Sequence, residues 1–205
     1  MARPSNTEER RLQITRALQQ VMAKQGYEGA AIADIARAAG LTPGLVHYHF
    51  AHKREILLAT AARLLADHQQ RLQAQLALAG PSPRAQLLAF VEAHLGQGAT
   101  ADPEALACWI QLTAESFRDK KLKAQLERAA RDWRDVLQKI LVEAEAGGER
   151  VRPDPEAAAA GLLAVIQGYF VLAATARGVI PPGSAAATAQ VMIDGLLSPK
   201  PRSRR

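Results

Sequence analysis

Between residues 42 and 53 the chain gathers Thr42, Pro43, Gly44, Leu45, His47, Tyr48, His49 and Lys53. A hydroxyl, two imidazoles, a phenol and an ammonium are donors suited to phosphate oxygens and base edges, and no carboxylate lies among them to repel a polyanion. The spacing separates two jobs. Val46 and Phe50 are four apart and share one helical face, which points inward, while Pro43, Gly44, His47 and Tyr48 fall on the outward side. Thr42 stands where a helix cap belongs, so its hydroxyl and the exposed amides behind it can meet a phosphate at the positive end of the helix dipole. Lys53, at the start of the next helix, supplies a compact positive charge to the adjoining backbone.

These residues need a scaffold, and residues 32–50, IADIARAAGLTPGLVHYHF, supply a helix-turn-helix pattern. Ile32, Ile35, Ala36 and Ala39 are spaced for a short helix, Gly40 is a left-handed stop, and Thr42-Pro43 restarts the chain as cap and first-turn proline. Ahead of them a helix opens at Ser5, Asn6 or Thr7, runs Ile14, Ala17, Leu18, Val21 and Met22 along one stripe, and ends at Gly26. Behind them a long helix runs from near His52 to the Gly80-Pro81-Ser82-Pro83 break. More helices are predicted at about 83–96, 102–117, 119–146, 154–177 and 184–197, separated by Gly96-Gln97-Gly98, Gly147-Gly148 and Arg177-Gly178 through Ser184. No alternating strand pattern is visible, so the fold class is all-α, with an N-terminal three-helix helix-turn-helix domain and a C-terminal helical domain.

At this point the sequence resembles the tetracycline-repressor (TetR) family of bacterial regulators. The resemblance rests on Gly26-Tyr27, Ile32, Asp34-Ile35-Ala36, Ala39-Gly40-Leu41-Thr42, Gly44, His47-Tyr48-His49-Phe50, Lys53, Ile56 and Leu57. It implies a DNA-binding domain over 1–53 and a ligand-binding and dimerisation domain over 54–198; the basic residues 199–205 read by composition as a disordered, solubilising tail. It also implies a homodimeric cytoplasmic repressor that reads a palindromic double-stranded operator and is released by a small-molecule effector, with the long helix from His52 as the lever. By position, Thr42, Pro43, Gly44, Leu45, His47, Tyr48, His49 and Lys53 become the DNA-contacting set. Departures exist: Ala30-Ala31 stands where members usually place Thr or Ser, which removes a cap worth about 1 kcal/mol. Ala33 replaces a long polar residue, and His47 stands where Tyr is common.

Composition agrees and excludes other classes. The 205 residues carry 26 Lys+Arg against 20 Asp+Glu, a formal +6, distributed as +3 over 1–53, −1 over 54–198 and +4 over 199–205. A single cysteine, Cys108, excludes an internal disulfide or a cysteine-rich zinc module, and the polar first residues contain no secretory apolar core. His47, His49 and His52 do not make a metal site, because positions 47 and 49 diverge by about 200° around a helix. No Gly-x-Ser-x-Gly elbow, phosphate-binding glycine loop or His-Glu-x-x-His pair suggests an enzyme, and no cofactor is implied. An adaptor that binds acidic partners through the tail is the other reading. Arg3, Arg10 and Arg11 are either backbone contacts or solvated charges.

In the C-terminal region Cys108, Trp109, Leu112, Phe117 and Tyr169 are candidate lining for an apolar ligand pocket, against plain core packing; Cys108 reads more readily as a buried thiol than as an oxidation sensor. Ala157–Ala176 runs without charge for the length of a bilayer, but its Ala/Gly composition fits burial between protein layers better than a membrane span. With Val191, Met192 and Leu196 it forms an apolar face over about 155–197 suited to a two-fold dimer contact.

Overall fold

The computed structural model describes residues 6–95, 103–181 and 183–199. Arg3, the Ser5 cap, the Gly96-Gln97-Gly98 break, Asp102 and the basic residues from Lys200 onward lie outside them. The order is α1 Asn6–Gly29, α2 Ile32–Ala39, α3 Pro43–His49, α4 Lys53–Ala79, α5 Pro83–Leu95, α6 Pro103–Ser116, α7 Lys120–Ala146, β1 Glu149–Val151, α8 Pro155–Thr175, a 3-10 turn Arg177–Val179, α9 Ser184–Leu196 and β2 Leu197–Pro199. The all-α class and the order of helices match the periodicity.

The described residues form two compact units, one made of those within 1–67 and 102–127 and the other of those within 68–101 and 128–205. In the first, α1 buries Ile14, Ala17, Leu18, Val21 and Met22, the stripe its spacing predicts. Gly26 interrupts α1 at φ 78, a left-handed backbone that a glycine adopts without Cβ strain. Ile35, Val46, Phe50, Ile56 and Leu57 close the core from α2, α3 and α4, joined by Cys108 and Leu112 of α6 and Leu122 of α7. Each such aliphatic side chain taken fully out of water contributes roughly 1.5–3 kcal/mol.

The second unit packs Leu72, Leu87, Phe90, Leu137, Leu141 and Ile166 together. Asp154 accepts a hydrogen bond from the Ala157 amide, with Pro155 at the first helical position, so α8 starts as the sequence predicts. Here the sequence expectation needs one correction. β1 and β2 pair antiparallel, Arg150 opposite Ser198, although no strand pattern was expected. Three residues hold too few alternations to register as a period, and the partners are far apart in sequence. Arg84, in the first turn of α5, fixes this ribbon. Its guanidinium donates to Glu149 at 2.9 and 3.2 Å and to the Leu197 carbonyl at 3.1 Å, and it also pairs with Asp194 of α9. His68 of α4 and His94 of α5 are buried polar residues in this unit, their rings set edge-on to Trp133.

By length and composition α8 could cross a membrane, and only 22% of its most apolar window is buried within the chain.

Candidate nucleic-acid interface

The geometry of the reading head follows from local chemistry. α2 begins at Ala31 without a side-chain cap, as the Ala30-Ala31 departure predicts, and ends at Gly40 in the left-handed conformation, whose amide reaches back to α2 carbonyls. α3 begins at Thr42, whose hydroxyl oxygen accepts from the Leu45 amide at 3.3 Å. Because that oxygen acts as the acceptor, the hydroxyl hydrogen stays free to donate outward. Pro43 occupies the first turn, where its missing N–H costs nothing.

Val46 and Phe50 are buried against Ile35, while Thr42, Pro43, Gly44, His47 and Tyr48 are exposed, Tyr48 at 80%. Leu45 and His49 are half-buried, and the His49 ring sits edge-on to Tyr48 at 5.1 Å. One short helix therefore offers a hydroxyl at its N-terminus and an imidazole and a phenol along its solvent face. A Cβ at Gly44 would meet nothing within 4 Å, so the glycine leaves open space where another molecule's backbone could approach.

Three side chains here, Arg11, Lys53 and Arg54, make contacts that have no local sequence signal. The Arg11 guanidinium donates to the His49 carbonyl and lies 3.9 Å from the centre of the Phe50 ring, which ties the C-terminal end of α3 to α1. Arg11 is exposed, but its guanidinium is held against the end of α3. Arg10 bonds Gln13 at 2.8 Å. Lys53 turns toward the end of α1, donating to the carbonyls of Tyr27 at 2.9 Å and Glu28 at 3.2 Å, with its ammonium over the Tyr27 ring. The next residue, Arg54, forms a two-pronged ion pair with Asp119, which caps α7 by accepting from the amides of Lys121 and Leu122. The Arg54 hydrogen bond holds the Asp119 carboxyl below its ordinary range.

The candidate ligand residues are not all brought together. Cys108 and Leu112 are fully buried in the first unit's core and Trp109 packs against it, but Phe117 is 86% exposed in the turn after α6. Tyr169 belongs to the second unit. Burial pushes the Cys108 thiol up to about 12. Among the described residues no group of three or more His, Cys, Asp or Glu could hold a metal ion.

Residues 14–60 match the description of bacterial regulatory proteins of the tetR family, and residues 83–198 match the C-terminal region of BetI-type transcriptional repressors. The chain belongs to the tetR family. This TetR-family regulator is 32% identical over 165 residues to the HTH-type transcriptional regulator BetI of Rhizobium meliloti strain 1021, covering 79% of this chain and 76% of that one. It is 31% identical to BetI of Stenotrophomonas maltophilia strain R551-3, covering 79% and 80%. In fold it is similar to a transcriptional regulator from Pseudomonas aeruginosa PAO1, TM-score 0.80 at 22% identity over 94% of this chain and 92% of that one. A regulator from Saccharomonospora viridis in complex with choline superposes at TM-score 0.78, with 24% identity over 92% and 95% of the two chains. The TetR-family chain is a transcriptional regulator with a DNA-binding helix-turn-helix, and not an enzyme.

Proposed function

We propose that this regulator is a cytoplasmic homodimeric repressor that reads a palindromic operator with α3 and leaves it when a small molecule binds. The observation that carries the reading is the solvent face of α3. His47 and Tyr48 stand exposed on a helix anchored from behind by Val46 and Phe50, beside a Thr42 hydroxyl free to donate. In this reading Leu45 and His47 contact base edges, Pro43 and Gly44 allow close approach, and Thr42, Tyr48, His49 and Lys53 position the phosphates, Lys53 by swinging from the end of α1. Two copies would place their reading helices roughly 34 Å apart, one turn of duplex.

Dimerisation is supported by the exposed apolar residues of the last two long helices, Val171, Leu172 and Val191, and by Gly161 and Gly168, where an added Cβ would meet nothing within 4 Å. A second copy would cover that face and build a four-helix contact. The similar regulator from Saccharomonospora viridis is in complex with choline, which makes choline the first effector to test. Effector binding would favour an arrangement of the two copies whose reading helices no longer match successive grooves. The decisive experiment selects bound sequences from a random DNA pool with wild type and with the His47→Ala/Tyr48→Ala double variant. Enrichment of a palindrome by wild type alone supports the proposal, and equal enrichment by both sinks it. Release of the selected duplex by choline, read by fluorescence anisotropy, tests the effector class.

A further inference from the structure

The turn between α6 and α7, together with the first turn of α7, carries more positive charge per residue than the reading head. Residues 117–123, Phe-Arg-Asp-Lys-Lys-Leu-Lys, hold four cations and one acid, a net +3 equal to that of the entire first 53 residues. Its one acid, Asp119, is already taken by Arg54, and Lys123 faces Glu127 at 3.7 Å. Arg118, Lys120 and Lys121 are exposed and have no ion-pair partner among the described residues. Of the other acids nearby, Glu115 is half-buried and acts on Tyr27 together with Glu28.

What fixes this turn in place also says what it is beside. Asp119 is held by Arg54, which sits in the first turn of α4, directly after Lys53 and a few residues beyond the end of α3. Leu122 is fully buried in the same core as Val46 and Phe50. The basic turn is thus anchored within the compact unit that carries the helix-turn-helix. We infer that Arg118, Lys120 and Lys121 form an auxiliary contact with the phosphate backbone of the duplex that α3 reads, outside the base pairs it specifies. The inference rests on the DNA-reading function proposed above. A duplex carries about one negative charge per 1.7 Å of its axis, so three uncompensated cations on a pinned turn next to the reading head meet a complementary surface. These side chains add affinity and salt dependence without sequence preference.

The test uses the full chain, the selected operator within a longer duplex, and the Arg118→Ala/Lys120→Ala/Lys121→Ala variant. All three positions are exposed, and Asp119 and Leu122 stay in place; circular dichroism melting verifies the fold. Anisotropy titrations across a series of salt concentrations should show the slope of log affinity against log salt falling by about two to three per copy, about five for the dimer, since each phosphate contact contributes about 0.9. Affinity at the lowest salt should drop at least tenfold, with the order of preference among operator variants unchanged. An unchanged slope and affinity in a variant that still selects the palindrome overturns this contact alone. Absence of any sequence-selective binding by wild type overturns the parent reading and this one with it. A variant that keeps full DNA affinity but loses a complex with an acidic protein overturns it in favour of a protein partner.

Discussion

The Nε2 atoms of His68 and His94 lie 3.0 Å apart in the core of the second unit, so one ring donates to the other. His94 Nδ1 is 2.9 Å from the Phe90 carbonyl, which can only accept, so Nδ1 carries the proton and a neutral His94 accepts at Nε2. His68 must then donate from Nε2. Burial pushes His68 down to about 3, with the neighbouring His94 and Arg71 adding to it, and pushes His94 down to about 4. Both rings are neutral in the folded chain at pH 7.

A pH dependence follows from that pair. Each folded-state value lies below the ordinary 6.5, so the unfolded chain binds more protons between about pH 6.5 and 4. The stabilisation is fully present above pH 6.5 and falls on acidification, at a limiting rate of about 1.4 kcal/mol per pH unit for each ring. Thermal midpoints should decline steadily from pH 7 to pH 4.5, and less steeply in His68→Gln. A flat profile over that range would contradict the buried neutral pair.

Thr42→Ala removes both the acceptor for the Leu45 amide and an outward hydroxyl. Folding stability should fall by about 1 kcal/mol, as for other lost caps. Operator affinity should fall further than stability accounts for, whereas Thr42→Ser should restore most of both. Chemical denaturation and anisotropy measured side by side separate the two effects.

Arg11→Ala should destabilise the first unit by roughly 1–3 kcal/mol through loss of a charge-assisted hydrogen bond to His49 and the cation over Phe50. Arg11→Lys should recover little, because an ammonium cannot both stack flat on the ring and reach the carbonyl. Urea unfolding of the three proteins gives the comparison. Equal stability of wild type and Arg11→Ala would remove the role assigned to this contact.

Cys108 should be inert in the native protein. Its thiol is fully buried and pushed up to about 12, so the reactive thiolate is scarce at pH 8. A thiol-specific chromogenic reagent should label the chain in strong denaturant but not in buffer. Rapid native labelling would reopen an oxidation-sensing role.

The reading head was legible in the sequence because its signals are local. Gly40, Thr42-Pro43 and the Val46/Phe50 spacing each act over less than two turns, and the structure places all of them as that spacing requires. The contacts that hold it were not legible. Arg11 meets His49 across 38 positions and Arg54 meets Asp119 across 65, and no local period announces such partners. Phe117 shows the opposite failure. Its ring suggests an interior place, but the chain turns there and the residue faces solvent. The packing of α6 against α1 is likewise a long-range product, set by where the chain folds back rather than by either helix's own pattern.

α3 is only seven residues long, too short to persist as a helix on its own, yet Thr42 secures its first turn and Arg11 its last. The conformational entropy of ordering those residues is therefore lost when the chain folds and not when it meets DNA. Association then costs mainly the freedom of a rigid body and of a few surface rotamers. Sequence preference should consequently be decided by how well a duplex fits a fixed shape, with poor sites rejected by fast departure and not by slow refolding of the reader.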